Sequence, residues 1–151
     1  MKIIVQRVSQ ASCTVNNDII SEIKDGYVLL VGLTHTDTSI EVEYLAKKVA
    51  NLRIFEDDEG KLNKSILDKN YEILSISQFT LYGETKKGNR PSFTNALEPS
   101  KAIVLYHELT NILNNTYNIN TLEGEFGAMM DINLTNSGPV TILLESKWYT
   151  W

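Results

Sequence analysis

Two hydroxyls, a carboxamide and an aromatic ring follow one another at Ser77-Gln78-Phe79-Thr80. They close the apolar run Tyr71-Glu72-Ile73-Leu74-Ser75-Ile76, whose period-2 mixture suits a mostly buried strand. If the strand continued, Ser77 and Phe79 would face one side and Gln78 and Thr80 the other. Both hydroxyls line one site only if the strand breaks near Gln78. A break also frees the Phe79 and Thr80 amides from the sheet ladder, and free amides must find another acceptor. Hydroxyls, an amide side chain and two aimed N–H groups are the parts of an oxyanion pocket for acyl chemistry. The same four residues also suit a strand end that merely satisfies a turn.

The surrounding elements must position them. Ile3 to Val8 and Ala11 to Val15 read as two strands, and Ile19 to Ile23 as a return strand after the turn Asn16-Asn17-Asp18. After the turn Asp25-Gly26, the continuous apolar run Tyr27 to Leu33 predicts a central strand covered on both faces. Thr36-Asp37-Thr38-Ser39 offers caps for a helix from Ile40 to Leu52, with Val42, Leu45, Ala46, Val49 and Leu52 as its apolar stripe. Arg53-Ile54-Phe55 reads as a short strand and Glu56 to Gly60 as a solvated acidic turn without calcium-loop spacing. A polar loop spans Gly83 to Asn95, and Pro99 opens a helix to Asn115. Alternation from Met130 to Thr135, the turn Asn136-Ser137-Gly138-Pro139 and the run Val140 to Glu145 predict a terminal hairpin. This order gives an α+β fold, two main helices packed outside a largely antiparallel sheet.

With 151 residues the chain is long enough for one domain, residues 1–151, with 146–151 as a tail. Its 42% hydrophobic and 22% charged residues are those of a globular protein. No apolar run approaches the roughly 20 residues of a membrane helix, and Met1 to Val8 does not read as a signal peptide, which predicts a cytoplasmic protein. Cys13, the sole cysteine, rules out an internal disulfide and a multi-cysteine metal site and reads as packing. A net charge of -5 works against long-range steering to nucleic acid, although Lys86-Lys87-Gly88-Asn89-Arg90 is a local basic cluster in a loop. His35 and His107 have no Ser or Cys partner nearby in sequence and are not assigned to catalysis.

Taken together, Ser77-Gln78-Phe79-Thr80 and, about sixty residues later, Gly138-Pro139-Val140-Thr141 resemble the D-aminoacyl-tRNA deacylase family. The resemblance covers nearly the whole chain, through Gln6-Arg7-Val8, Arg53-Ile54-Phe55, Arg90-Pro91-Ser92-Phe93 and Gly124-Glu125-Phe126. It implies a barrel-like core and a homodimer with sites at the subunit interface. Ser77 to Thr80 would come from one subunit and a Gly138-cisPro139 pair from the other. That pair would hold the amino group of a D-aminoacyl moiety and reject an L side chain by steric exclusion. Arg7 would brace the Gly-Pro carbonyls, a task for a rigid guanidinium fork. Phe126 and Met130 would meet the terminal adenosine, and Lys86, Lys87 and Arg90 tRNA phosphates.

The implied reaction is ester hydrolysis on tRNA charged with a D-amino acid, and on mischarged glycyl-tRNA. No cofactor, metal or membrane is implied. Thr80 is a nucleophile by residue type, yet no His, Lys or carboxylate is visibly paired to activate it. The resemblance points instead to amides at Phe79 and Thr80, with water attacking and the substrate 2′-OH assisting. Two departures stand out: Ser137 replaces a common acidic residue, and Lys147-Trp148-Tyr149-Thr150-Trp151 fits no family pattern. A binding module of the same fold and an esterase for small acyl esters are the competing readings.

Overall fold

The computed structural model describes residues 1–146, so Lys147 to Trp151 lie outside the described residues. The organising element is β1 (Lys2–Val15), a single 14-residue strand. One edge pairs antiparallel first with β3 (Gly26–Gly32) and then, from Ala11 to Val15, with β2 (Asp18–Ile23). The other edge pairs along nearly its whole length with β8 (Asp131–Glu145). The two opening strands expected from sequence are therefore one. The exposed polar pair Ser9-Gln10 interrupts the apolar alternation, but the ladder to β8 carries the strand across it.

β3 also pairs with β6 (Glu72–Ser77), and β6 with β7 (Thr121–Glu123). Both pairings are parallel, within a sheet that is otherwise antiparallel. The sheet curls until β2 approaches β7, where the Ser21 hydroxyl donates to the Glu123 carbonyl and almost closes a barrel. Alternation sorts the side chains of its central strands. Ile3, Val5, Tyr27, Leu29, Val31 and Ile73 face the helices, while Cys13, Val28, Leu74 and Ile76 fill the inside of the curl.

α1 (Ser39–Asn51) starts at a capping box in which Thr38 and Glu41 satisfy each other's backbone amides. Its buried stripe is Val42, Leu45, Ala46, Val49 and Ala50. α3 (Pro99–Asn115) has Pro99 in its first turn and buries Ala102, Tyr106, Leu109 and Leu113. Between α1 and β6 lie β4 (Phe55–Glu56), β5 (Leu62–Lys64) and the one-turn α2 (Ile66–Lys69). β5 and α2 are too short to leave a periodic signal, and the strand expected at Arg53 to Phe55 shrinks to Phe55–Glu56, paired with β5.

The terminal hairpin is not present. β8 is continuous, and both halves pair with β1: Asn136 opposite Val8, and Thr141 opposite Gln6. Residues 137–140 are in excess against Arg7 and bulge from the ladder, and the bulge holds the cis peptide bond Gly138-Pro139. A Gly-Pro pair after Asn-Ser reads as a turn from local sequence. Pairing to a strand more than a hundred residues away makes it a bulge instead.

Candidate functional site

β6 ends at Ser77 and a 3-10 turn over Phe79–Tyr82 begins at once. Gln78 is the joint: its amide donates to the Val31 carbonyl (2.7 Å), and its carbonyl accepts from the Leu81 amide (3.2 Å). The strand breaks at Gln78 as expected, yet of the two hydroxyls only that of Ser77 belongs to a residue lining the adjoining cavity; Thr80 does not line it. The Phe79 and Thr80 amides, at the open start of the turn, have no carbonyl partner among the described residues. The Gln78 carboxamide donates to the Thr80 hydroxyl, so that hydroxyl is engaged within the stretch.

Ser77, Gln78 and Phe79 line a cavity of about 450 Å³ between the end of β6 and the start of α3. Its walls are mainly apolar, from Leu33, Phe93, Leu97 and Phe126. Phe79, although 58% exposed, meets Phe93 edge to face with ring centroids 5.1 Å apart. Among the described residues Glu98 is the one ionisable side chain lining the cavity. Its hydrogen bond and ion pair with Lys101 (2.8 Å) hold it below the usual carboxylate range.

The floor is fixed from behind. The buried Tyr106 hydroxyl donates to the Ser75 carbonyl (2.7 Å), which also accepts from the Gly124 amide (3.0 Å). Burial pushes the Tyr106 phenol well above its ordinary value, so it remains a neutral donor. The Tyr106 ring also packs on Phe126 (5.7 Å). A Cβ at Gly124 would stand 2.7 Å from Met130 Sδ and 3.0 Å from Ile76 Cδ1, so a larger residue behind the strand end would require those two side chains to shift. Met130 is partly buried against the inner core cluster and does not line the cavity.

The second constellation lies elsewhere in the chain. Arg7 Nε donates to the Ser137 carbonyl and Nη1 to the Ile54 carbonyl, both at 2.9 Å. The guanidinium thus braces the residue before the Gly-Pro pair, not the Gly138 and Pro139 carbonyls expected from sequence. Gly138 has φ 127°, and a Cβ there would lie 2.9 Å from Arg7 Nη2. Asn136 closes the bulge by accepting from the Val140 amide (3.0 Å) and donating to Thr141 Oγ1 (2.9 Å). Gly138 and Pro139 are exposed and take no part in lining the cavity of their own chain. Lys86, Lys87 and Arg90 are exposed on the loop that delivers Phe93 to the cavity wall, with Lys86 3.8 Å from Glu84.

A model described as D-Tyr-tRNA(Tyr) deacylase matches residues 4–145. The chain belongs to this family. Similar curated relatives named D-aminoacyl-tRNA deacylase come from Bacillus velezensis, 52% identical over 97% of this chain and 99% of that protein, and from Brevibacillus brevis, 53% identical over 97% and 100%. Among solved structures, one titled c-Myc DNA Unwinding Element Binding Protein superposes with TM-score 0.91 at 45% identity, covering 96% of this chain and 98% of that one. Another, titled as a probable eukaryotic D-amino acid tRNA deacylase, has TM-score 0.81 at 16% identity, covering 95% and 97%, a likeness of fold.

In this deacylase-family chain, sequence reasoning missed Tyr106 and Asn136, and it missed Leu33, Leu97 and Glu98 as cavity lining. Tyr106 stands in the α3 apolar stripe, where periodicity cannot separate a positioning hydroxyl from core. A cue existed for Phe93 and Leu97, two large apolar residues in an otherwise polar loop before α3.

Proposed function

We propose that the chain hydrolyses the ester joining a D-amino acid to the 3′ ribose of tRNA, and also clears mischarged glycyl-tRNA. The observation that carries this reading is the strand break at Gln78, which leaves two unmatched amides beside a largely apolar cavity in a chain of the deacylase family. The amides of Phe79 and Thr80 stabilise the oxyanion as water adds to the acyl carbon. The tetrahedral intermediate then collapses, the bond from the acyl carbon to the 3′ oxygen breaks, and that oxygen leaves with a proton as the ribose hydroxyl. Glu98, held below the usual carboxylate range by Lys101, is a weak base, and the one partner of Thr80 Oγ1 among the described residues is the Gln78 carboxamide, a donor that cannot activate it as a nucleophile. The substrate 2′-OH assists proton transfer.

Gly138 and Pro139 of a second copy enter the cavity, hold the amino group and exclude an L side chain, with Arg7 fixing the bulge through Ser137. Glycine passes because it has no side chain to exclude. In support, the pair is exposed on a closed bulge and contributes nothing to the cavity of its own chain. Phe126 takes the terminal adenosine inside the cavity, Met130 supports the Gly124 to Phe126 segment, and Lys86, Lys87 and Arg90 meet phosphates.

The test compares D-tyrosyl-, L-tyrosyl- and glycyl-tRNA with purified protein, with and without a chelator. Hydrolysis of the D- and glycyl-esters only, unchanged by chelator, is expected. Equal loss of the D- and L-esters removes the chiral gate. A nucleic-acid-binding module without hydrolysis is the second reading, favoured by the neighbour whose title names binding to a DNA element. A folded dimer that retains tRNA but hydrolyses none of the three esters selects it.

A further inference from the structure

The last turns of α1 carry a basic surface outside the site described above. Tyr44, Lys47, Lys48 and Asn51, with Arg53 just beyond the helix, border a shallow depression of about 470 Å³. Lys47, Lys48 and Arg53 are exposed, and among the described residues none forms an ion pair with a carboxylate. Lys2, Lys61, Lys64, Lys86 and Lys101 do, whereas Lys24, Lys69, Lys87 and Arg90 are likewise without an ion pair among the described residues but do not border this depression. Glu43, one turn before Lys47, makes no such pair. Asp68, whose carboxyl feels Arg53, is engaged by the Ser65 amide and hydroxyl.

The groups are partly preset. Lys48 Nζ stands 5.5 Å from the centroid of the Tyr44 ring. Arg53 Nε donates to the Asn63 carbonyl (2.8 Å), which uses one of five guanidinium donors. Position matters as much as charge. Arg53 precedes Ile54, whose carbonyl is held by Arg7, and the same guanidinium holds Ser137 beside Gly138-Pro139. The bulge and the residue that follows Arg53 are thus tied to one side chain.

A polyanion approaching a chain of net charge -5 needs a local positive field, and this cluster supplies one whose Arg53 is the chain neighbour of the Ile54 carbonyl that Arg7 holds. We propose that Lys47, Lys48 and Arg53 bind backbone phosphates of the tRNA acceptor stem adjoining the charged 3′ end, on the copy that lends its Gly138-Pro139. The inference rests on the proposed function. Two ammonium groups and a guanidinium fork grip phosphate without reading bases, which suits an enzyme that must accept many tRNA sequences.

The test uses K47A/K48A/R53A, whose side chains are all exposed, with folding checked by thermal melting. Two substrates are compared: D-tyrosyl-tRNA, and 3′-O-(D-tyrosyl)adenosine, which has no stem. For the tRNA, KM is expected to rise about tenfold or more at constant kcat, and the salt slope of log KM to fall by about 1 per lost phosphate contact. Cleavage of the adenosine ester stays at the wild-type rate, and K47R/K48R retains wild-type KM on the tRNA. An unchanged KM and salt slope overturns the proposal, as does a parallel loss on both substrates. If wild-type protein cleaves neither, the proposed function fails on its own, and filter binding of uncharged tRNA then decides the surface. Equal retention by wild type and triple variant would dismiss it.

Discussion

At the residue scale, backbone and side-chain roles in Ser77 to Thr80 separate experimentally. Gln78 precedes the turn with φ -144° and ψ 75°, outside the helical region that a following proline disfavours. Phe79→Pro therefore deletes one amide donor at a position where the turn uses none. It is expected to lower kcat by about 10²–10³ with the fold intact, the usual cost of one oxyanion donor. Phe79→Leu keeps the amide and controls for the lost ring. Thr80→Ala removes a methyl group and a hydroxyl already engaged by Gln78 and is expected to keep measurable activity; complete loss in a folded variant would restore Thr80 as nucleophile. Gly138→Ala places a Cβ 2.9 Å from Arg7 Nη2 in a backbone conformation that side chains rarely adopt. The ratio of D- to L-ester hydrolysis is expected to fall at least about tenfold, equivalent to about 1.4 kcal/mol. An unaltered ratio would dissociate the bulge from chirality.

At the element scale, helices and central strands were legible because each carries its own period. The α3 range Pro99–Asn115 matches expectation, and α1 shifts by one residue at each end. Three features were not legible, all of them long-range. Ser9-Gln10 and Asn136 to Val140 look like chain reversals in local sequence, and only the β1–β8 ladder makes them irregularities within continuous strands. Likewise nothing in Ile73 to Ile76 announces parallel neighbours. The candidate site divided along the same line. Ser77 to Phe79 are neighbours in the chain and were legible together, whereas Phe126 reaches them only through the parallel β6–β7 pairing, and Met130, just before β8, packs on the inner core cluster. Short elements depend on their caps. The Ser65 amide and hydroxyl hold the Asp68 carboxyl below its ordinary value at the start of α2. A depressed folded-state pKa adds stability above the unfolded value, and this is lost as pH falls through the folded one. Asp68→Asn should therefore reduce the acid sensitivity of stability, seen as a smaller loss in denaturant midpoint between about pH 7 and pH 3. An unchanged loss would mean that this cap contributes nothing.

At the scale of the whole molecule, a shared site predicts complementation between two damaged chains. On the proposed function, Phe79→Pro impairs the hydrolytic half and Gly138→Ala the discriminating half. Mixing and refolding equal amounts should restore about a quarter of the wild-type D-selective sites, because half of the dimers are mixed and each of these has one intact pair. No recovery from a mixture shown to contain mixed dimers would put both halves in one chain. The architecture also gives the two halves different support. Ser77 to Phe79 are anchored to a strand with neighbours on both sides and buried Tyr106 behind it. Gly138 and Pro139 hang from β8, whose ladder partner among the described residues is β1 alone. Fraying begins at the less supported strand. On the proposed function, with the bulge as chiral gate, an ageing or heat-stressed molecule would then forget which hand it was meant to cut while still able to cut. Correctly charged tRNA would be stripped along with the faulty, so that for the cell a half-worn proofreader is worse than a dead one.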